Sequence, residues 1–557
     1  MASWQVLAAS AVAALVFSFI FFGLIGIICH LYASFTSPLN DLQGPPSVSK
    51  ITGSVEGCFE SDADELWRRA LHQYGPTFKF NSFFNMNKLF IVDLKAINFI
   101  LSHDLEFHRS EQIKFAIEEL VGDGLAAVQG AKHRRQRKVL NPTFGPLPTR
   151  ALTPIFVDKA IELRDIWMSK IAAAEKLGAR RVQVDLLNWF SKTALDIIGQ
   201  AGFDYAFNAL SSPDDQPNEM FRAVQTLMSF DPSSLSFMIP AIFPPARHIP
   251  TQRFREMIKA LKVLRRICSD MVMEKEHRVM AGTVDDEKGW MKDSTQGPQE
   301  RDLTALLVKA NLAAEAADAL NDQDLAYQIP TFVVAGHETT STALLWTIQS
   351  LYQHPRVQDK LRAEVSAHPT DTSTPSIDEL NAMPYLDAVL RESLQFHTSI
   401  PTIERVATCD MVVPIENSYV DRHGSIRDEI RLRKGDTIMI PLRSVNHSKE
   451  LWGDTALEFI PERWENIPDA VQAVPGVMSS ILTFGGGPYS CIGYRFSVME
   501  SKAILFTLLR SFIFEEAVPA EAIGRKTLII TRPYLKADPE QKASLPVFIR
   551  PVHVDQV

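Results

Sequence analysis

The sequence predicts a mainly helical chain with small β-sheets, preceded by one N-terminal transmembrane helix. Three observations carry that expectation. Apolar residues at helical spacing dominate from Lys132 to Lys309, resume through Leu303–Glu364 and return at Ile377–Phe396. Short runs such as Thr77–Phe80, Leu89–Val92 and Arg431–Ile440 read instead as extended. At the N-terminus, Val6 to Cys29 is a run of 24 residues without a charge.

That run is long enough to cross a bilayer, which needs about 20 apolar residues. A cleaved signal peptide competes, but its apolar region is shorter and follows a Lys or Arg, whereas here none precedes Lys50. Basic residues only on the C-terminal side (Lys50, Arg68, Arg69) place that side in the cytosol and suit a single-pass span in the endoplasmic reticulum. The sequon Asn446-His447-Ser448 would then go unused. Residues 1–34 read as the anchor, residues 35–50 with Gly44-Pro45-Pro46 as a stiff spacer, and residues 51–557 as the folded domain.

The domain opens on Asp64–Tyr74, patterned as a short amphipathic helix ahead of the first strands. Pro-rich Phe230–Pro250 interrupts the helical stretch, and Gly282–Glu300 reads as a mobile surface loop. Tyr494–Leu508 is a last helical run before a short, strand-rich tail. No internal repeat or Ser/Gly linker divides the chain.

With 557 residues, 46% of them hydrophobic, a large core is feasible. The net charge of 57 − 66 = −9 argues against a nucleic-acid partner. The five cysteines (29, 58, 268, 409 and 491) are odd in number and lack paired spacing. They form neither a disulfide framework nor a zinc site, and suit a reducing compartment.

Cys491 stands apart from the other four. A lone Cys is ordinarily a small buried hydrophobe. This one follows Gly485, Gly486, Gly487 and Pro488 and precedes Gly493. Glycines at that density let a backbone approach a large planar group and aim N–H groups at one sulfur, which favours a thiolate. The helix that begins just beyond adds a preference for negative charge. A Gly-rich turn around a structural Cys is the plainer alternative.

Three further patterns bear on chemistry. Ala335-Gly-His-Glu-Thr-Thr340 lies inside an apolar helix, where Glu338 and Thr339 are costly unless satisfied or used. Gly336 leaves room beside that helix, and Thr339 can bond backwards to a carbonyl; a merely bent helix is the alternative. His133 and Arg137, spaced i, i+4, share a face within Lys132-His-Arg-Arg-Gln-Arg-Lys138. The other cations of that run would point outward, as a solvated face, a localisation signal or a docking surface. Last, Glu392-Ser-Leu-Gln395 and Phe459-Ile-Pro-Glu-Arg463-Trp464 place an acid and an Arg where a buried pair can form.

Phe484-x-x-Gly487-x-x-x-Cys491-x-Gly493 resembles the haem-ligand loop of the cytochrome P450 superfamily, and the order of elements from about Pro45 onward resembles its fold. The style of the motifs is nearest to fungal microsomal members. The resemblance implies one catalytic domain carrying haem b (iron protoporphyrin IX), with Cys491 as the axial ligand of the iron in the loop shaped by Phe484, Gly487 and Gly493. It gives Glu338 the role of proton-relaying acid and Thr339 that of the hydroxyl that holds dioxygen. It directs His133, Arg137, Tyr489 and Arg405 toward the haem propionates, and groups Glu392, Gln395 and Arg463 in a network that locks the pocket. Two positions depart from the family: Gln395 and Tyr489 stand where Arg is usual, which weakens an ionic network and a propionate contact.

The function implied is hydroxylation or epoxidation of a lipophilic small molecule, in fungal secondary metabolism such as terpenoid tailoring. Electrons from NADPH would arrive through the flavins of a separate NADPH–cytochrome P450 reductase, with cytochrome b5 as a further candidate donor, because no Rossmann fingerprint is present. The resemblance lines the pocket with Leu105–Val121, Phe221–Phe243, Phe332–Thr339 and Thr398–Thr402. The apolar residues of Leu235–Phe243 could also dip into a membrane or form an ordinary buried loop. Two other classes stay open: a haem-thiolate isomerase or dehydratase needing no reductase, and a weakened or non-catalytic haem-binding membrane protein.

Overall fold

The computed structural model describes residues 32, 35–49, 53–54, 63–82, 85–212, 219–228, 251–283, 302–315, 317–368, 374–527 and 529–552. The chain forms two compact units, interleaved along the sequence. The first comprises Met1–Ala116, Asp231–Glu256 and Glu404–Ile440; the second Ile117–Phe230, Met257–Ile403 and Pro441–Val557.

The first unit is built on a five-stranded sheet in the order β1 (Thr77–Asn81), β2 (Asn87–Ile91), β8 (Thr437–Ile440), β5 (Ile403–Ala407), β3 (Phe107–His108). Strands β1 and β2 pair antiparallel, whereas β8 joins β2 in parallel. Alternation puts Phe78 and Phe80 on one face of β1. There they meet Phe90 and Trp67 of the helix Ala63–Tyr74, with Trp67 and Phe90 stacked at 4.7 Å and Phe78 and Phe90 at 4.5 Å. The expected extended run Arg431–Ile440 is two strands. It breaks at Gly435, whose φ of 95° favours glycine, between β8 and β7 (Ile426–Leu432), the latter paired in a hairpin with β6 (Met411–Val420). One carboxylate ties this hairpin to the rest of the unit. Asp93 caps the helix Leu94–Ser102 through the Ala96 N–H and also accepts from the N–H groups of Glu416 and Asn417.

The segment read as a spacer is part of this unit. Leu39 and Leu42 are buried, the Ser37 hydroxyl donates to Asp436, and the Lys79 N–H donates to the Gln43 carbonyl. A Cβ on Gly44 would sit 1.8 Å from the Lys79 carbonyl oxygen, so only glycine fits against β1. The apolar run Val6–Cys29, Phe230–Pro250 and nearly all of Gly282–Glu300 lie outside the described residues. Among the described residues no helix is long and apolar enough to cross a membrane.

The second unit is helical. Six helices position the site: α1 (Gly130–Leu140), α2 (Pro146–Glu175), α3 (Leu186–Phe203), α4 (Gln328–Gln353), α5 (Pro384–Phe396) and α6 (Tyr494–Ser511). Helix α4 is buried over most of its circumference, as expected of a core helix. It packs on α3, and α6 packs on α2 with Phe156 and Phe496 edge-to-face at 4.6 Å. Two small sheets complete the unit: β4 (Val182–Asp185), β12 (Pro546–Pro551) and β9 (Phe512–Glu516), and the hairpin of β10 (Ile523–Thr527) with β11 (Thr531–Leu535). Strand β4 falls in the stretch expected to be helical, because Val182–Asp185 finds an edge on β12. Pro355 and Pro384 divide helical runs that the periodicity left continuous, each opening a new helix where a missing N–H costs nothing.

Candidate haem-thiolate site

Every residue the sequence singles out for chemistry, apart from Arg405, lies in the second unit. Arg405 is on β5 in the first, buried, with its guanidinium donating to the Glu404 carbonyl at 2.9 Å.

The Cys491 loop is a succession of tight turns. Gly485 and Gly487 have φ of 68° and 66°, which an L side chain rarely adopts. The Gly485 N–H donates to Leu482, that of Ser490 to Gly487, and that of Cys491 to the Phe484 carbonyl at 2.8 Å. With these donors engaged in turns, the Gly493 N–H is the one directed at the Cys491 sulfur. Gly493 itself has an ordinary φ of −89°, and a Cβ there would only touch the Phe144 ring. It is the N-cap of α6, so the sulfur sits at the positive end of that helix.

Burial pushes the Cys491 thiol up, while the Gly493 N–H and the Arg137 guanidinium pull it down. Yet the side chain is open to solvent. The sulfur is thus within reach of a ligand, and a thiol held neutral by its surroundings becomes a thiolate once a metal ion binds it.

Helix α1 closes one side of the loop. Arg137 donates to the Ser490 carbonyl at 2.6 Å and to the Asn141 side chain at 2.8 Å. Buried His133, one turn earlier, lies against the Tyr489 ring with centroids 4.1 Å apart. The Tyr489 hydroxyl accepts the Gly130 N–H at 3.0 Å. His133, Arg137 and Tyr489 thus converge on the Cys491 loop, as their spacing suggested. The neighbouring cations, read as pointing outward, are ion-paired: Lys132 with Asp123 and Asp324, Arg135 with Asp324, and Lys138 with Asp318.

Behind the loop, the Glu392 carboxylate accepts from Ile460 N–H at 2.6 Å, Arg463 Nε at 3.0 Å and Trp464 Nε1 at 2.8 Å. Gln395, where charge is missing, enters a neutral chain instead. Its amide donates to the Asn446 carbonyl, and the Asn446 side chain donates to the hydroxyls of Thr398 and Thr483 at 2.9 Å each. The Leu482 N–H in turn donates to the Asn446 side-chain oxygen at 2.8 Å. A network of amides therefore fixes the start of the Cys491 loop. The Asn446 sequon is unusable for a physical reason: its amide is buried and both hydrogens are engaged.

On α4, Gly336 does not open the groove as expected. A Cβ there would lie 3.3 Å from the Ile198 side chain, so the glycine lets α3 pack closely. The open flank is carried by Ala335 and Thr339, exposed and half-buried on an otherwise buried helix. Thr339 Oγ1 donates to the Ala335 carbonyl at 2.7 Å. The next residue, Thr340, shares a 3.0 Å hydrogen bond with Ser497 on α6, tying this helix to the one that follows Cys491.

Glu338 forms an ion pair with Arg532 of β11. His337 is buried, and burial together with Arg532 pushes its pKa down to about 4, so it is neutral. Of the substrate-lining residues expected, Phe332 is buried edge-to-face with Phe144 at 5.0 Å, and Phe221 is buried on the helix Glu219–Met228. Residues 229–243 lie outside the described residues.

Arg532 and Ile198 carried no signal in the sequence reading, and Asn446 and Trp464 entered it only as a sequon and as the neighbour of Arg463. Each matters through a partner far away in the chain, and no local pattern announces such pairs.

The donor set fits a haem: an accessible sulfur, one N–H and a guanidinium beside it, and a half-open, hydroxyl-bearing helix flank on α4, which is tied to the helix that follows the sulfur. The sequence model of the family "Cytochrome P450" matches residues 64–536. Cytochrome P450 monooxygenase 205 of Postia placenta is 42% identical over 522 residues, covering 93% of this chain and 94% of its own. Cytochrome P450 monooxygenase 128 of the same fungus is 42% identical over 527 residues, again 93% and 94%. The ganoderic acid synthetase of Ganoderma lucidum is 32% identical over 511 residues, covering 88% and 90%.

Proposed function

From the premise that the chain belongs to the cytochrome P450 family and is a haem-thiolate monooxygenase, we propose that it hydroxylates or epoxidises a lipophilic small molecule in fungal secondary metabolism, terpenoid tailoring being the first class to test. The haem, when bound, supplies the iron at which dioxygen is activated. Cys491 would hold it, with Arg137, His133 and Tyr489 of the same unit as the candidates for its propionates. Tyr489 already serves Gly130, so the charge in that group comes from Arg137. The observation that carries the reading is the Thr339 hydroxyl on the open flank of α4, with the acid Glu338 next to it in sequence and the helix joined to that of Cys491 through Thr340 and Ser497. An isomerase or dehydratase has no need of such an acid and hydroxyl.

The relative named ganoderic acid synthetase supports the terpenoid choice. Electrons would come from NADPH through a separate reductase, with cytochrome b5 as an alternative donor. Of the cations once open to such a partner, Lys132, Arg135 and Lys138 are ion-paired, so docking would draw on exchange of pairs rather than on bare charge. The charge-free run Val6–Cys29 supports attachment to the endoplasmic reticulum membrane with the catalytic units in the cytosol.

The test is expression in microsomes with a fungal reductase. The reduced, carbon monoxide-bound spectrum is recorded first, then a terpenoid panel is screened with NADPH. A strongly red-shifted Soret band and a product bearing one added oxygen are expected. Turnover without NADPH would overturn the reading in favour of an isomerase or dehydratase. Folded protein without haem would favour the non-catalytic alternative.

A further inference from the structure

The ion pair between Glu338 and Arg532 joins the acid of α4 to β11, a strand nearly 200 residues further along the chain. Strand β11 is firmly placed there. The Thr531 N–H donates to the Ser399 carbonyl at 2.9 Å, and the Thr531 carbonyl accepts Trp346 Nε1, from α4 itself, at 3.0 Å. Trp346 is held in turn between the His397 ring, stacked at 5.4 Å, and the Arg525 guanidinium, 4.6 Å from the indole centroid. Across the hairpin the hydroxyls of Thr527 and Thr531 meet at 3.0 Å. Helix α4 therefore grips β11 at two points, Trp346 on the Thr531 carbonyl and Glu338 on the Arg532 side chain.

The electrostatics require a cation at this place. Glu338 is buried, and its neighbour His337 is neutral, so it offers the carboxylate no charge. Arg532 is itself half-buried, and partial removal from water strengthens a charge pair relative to the surface. Glu338 and Thr339 are successive residues on a helix and so point about 100° apart. A carboxylate bound to Arg532 must swing to serve the flank where Thr339 is open.

We propose that Arg532 is the positioning residue of proton delivery: it holds Glu338 as a carboxylate at a fixed resting place and releases it, once protonated, toward Thr339. This rests on the monooxygenase reading above. The cycle balances. Glu338 takes a proton from solvent water, gives it to water in the groove beside Thr339, and returns as the carboxylate that Arg532 receives. Electrons arrive separately from NADPH through the reductase.

The experiment uses the full chain with haem and reductase, comparing wild type, Arg532→Gln, Arg532→Lys, Glu338→Gln and the double Glu338→Gln/Arg532→Gln. In Arg532→Gln, product formed per NADPH should fall about tenfold, less than the 10²–10⁴ of losing a general acid outright. The missing electrons should appear as hydrogen peroxide, and the solvent deuterium isotope effect on turnover should rise. Arg532→Lys should recover most of the coupling, and the double variant should be no worse than Glu338→Gln alone. Outside turnover, a double-mutant cycle on thermal unfolding of the same proteins should be non-additive.

Unchanged coupling and isotope effect in Arg532→Gln, with Glu338→Gln impaired, would overturn the positioning role while leaving the monooxygenase reading intact. A silent Glu338→Gln would overturn both the acid and its holder. Should Arg532→Gln lose haem, Arg532→Met, which keeps the packing of the stem, is read by the same quantities. Loss of haem from both variants would make Arg532 structural and overturn the proposal.

Discussion

Replacing Arg463 by Met should destabilise the haem-loaded protein by about 3–5 kcal/mol, the cost of leaving a buried charge without its partner. Glu392 is fully buried and uses both oxygens: Oε1 accepts from Ile460 N–H and Arg463 Nε, Oε2 from Trp464 Nε1. The two neutral donors survive the substitution, each worth about 1.5–3 kcal/mol to a charged acceptor, which falls short of the carboxylate's desolvation. The carbonyls of Thr455 and Glu458 also lose a donor, Arg463 Nη2, at 2.7 and 2.8 Å.

Burial already holds the Glu392 carboxyl above the usual carboxylate range, against the pull of Arg463. Without Arg463 it moves further up, and the sign of the pH dependence follows. The unfolded chain gives up this proton first, near pH 4.3, so stability falls as pH rises toward the raised folded value. The deficit of Arg463→Met relative to wild type should accordingly be larger at pH 8 than at pH 5. Thermal unfolding followed by circular dichroism and by the Soret band measures both. The double variant Glu392→Gln/Arg463→Met removes the charge and keeps an acceptor for Ile460 or Trp464, so it should be more stable than Arg463→Met alone. A deficit under about 1 kcal/mol, no deepening with pH, or a double variant no better than the single would refute the argument.

Three further predictions follow from the same geometry. Cys491→Ala should abolish the red-shifted carbon monoxide band while leaving the far-ultraviolet circular dichroism of the chain unchanged, since the loop is set by Gly485, Gly487 and backbone hydrogen bonds. Tyr489→Phe should lower the thermal midpoint by the equivalent of about 1 kcal/mol, because the half-buried Gly130 N–H loses its acceptor, and should also weaken haem retention in a dialysis assay. Gly336→Val should cost about 1–3 kcal/mol through overlap with Ile198, and adding Ile198→Ala should return much of it in the same unfolding assay.

The residues legible in the sequence are those whose chemistry is local. A Cys among glycines ahead of a helix, an acid and a hydroxyl on an apolar helix, and an i, i+4 pair each declare themselves within a few positions, and the structure brings the i, i+4 pair to the Cys491 loop. Periodicity likewise found α4, α6 and the first two strands. It missed β4, whose strand character comes from its partner β12 rather than from its own four residues.

Gln395 and Tyr489 show where local reading stops. Judged against the family pattern, each is a loss: an amide for a guanidinium, a phenol for a fork of donors. In the folded chain each makes a hydrogen bond to a distant partner, although the Gln395 side-chain oxygen is buried without one. Asn446, 51 residues beyond Gln395, accepts its amide on the backbone carbonyl and through its own side chain carries the chain to the start of the Cys491 loop. Gly130 presents its N–H to the Tyr489 hydroxyl from a backbone with φ of 58°, a conformation that favours glycine. Tyr489 is thereby matched to its surroundings, whereas Gln395 is matched through its amide N–H alone. Restoring Arg at position 395 would insert a charge beside the neutral Asn446, Thr398 and Thr483 chain, one turn from a Glu392 carboxylate already engaged by Ile460, Arg463 and Trp464. Gln395→Arg should then lower haem occupancy rather than raise it. A clear rise in occupancy would show that the amide chain is a makeshift and the family's Arg the better solution here as well.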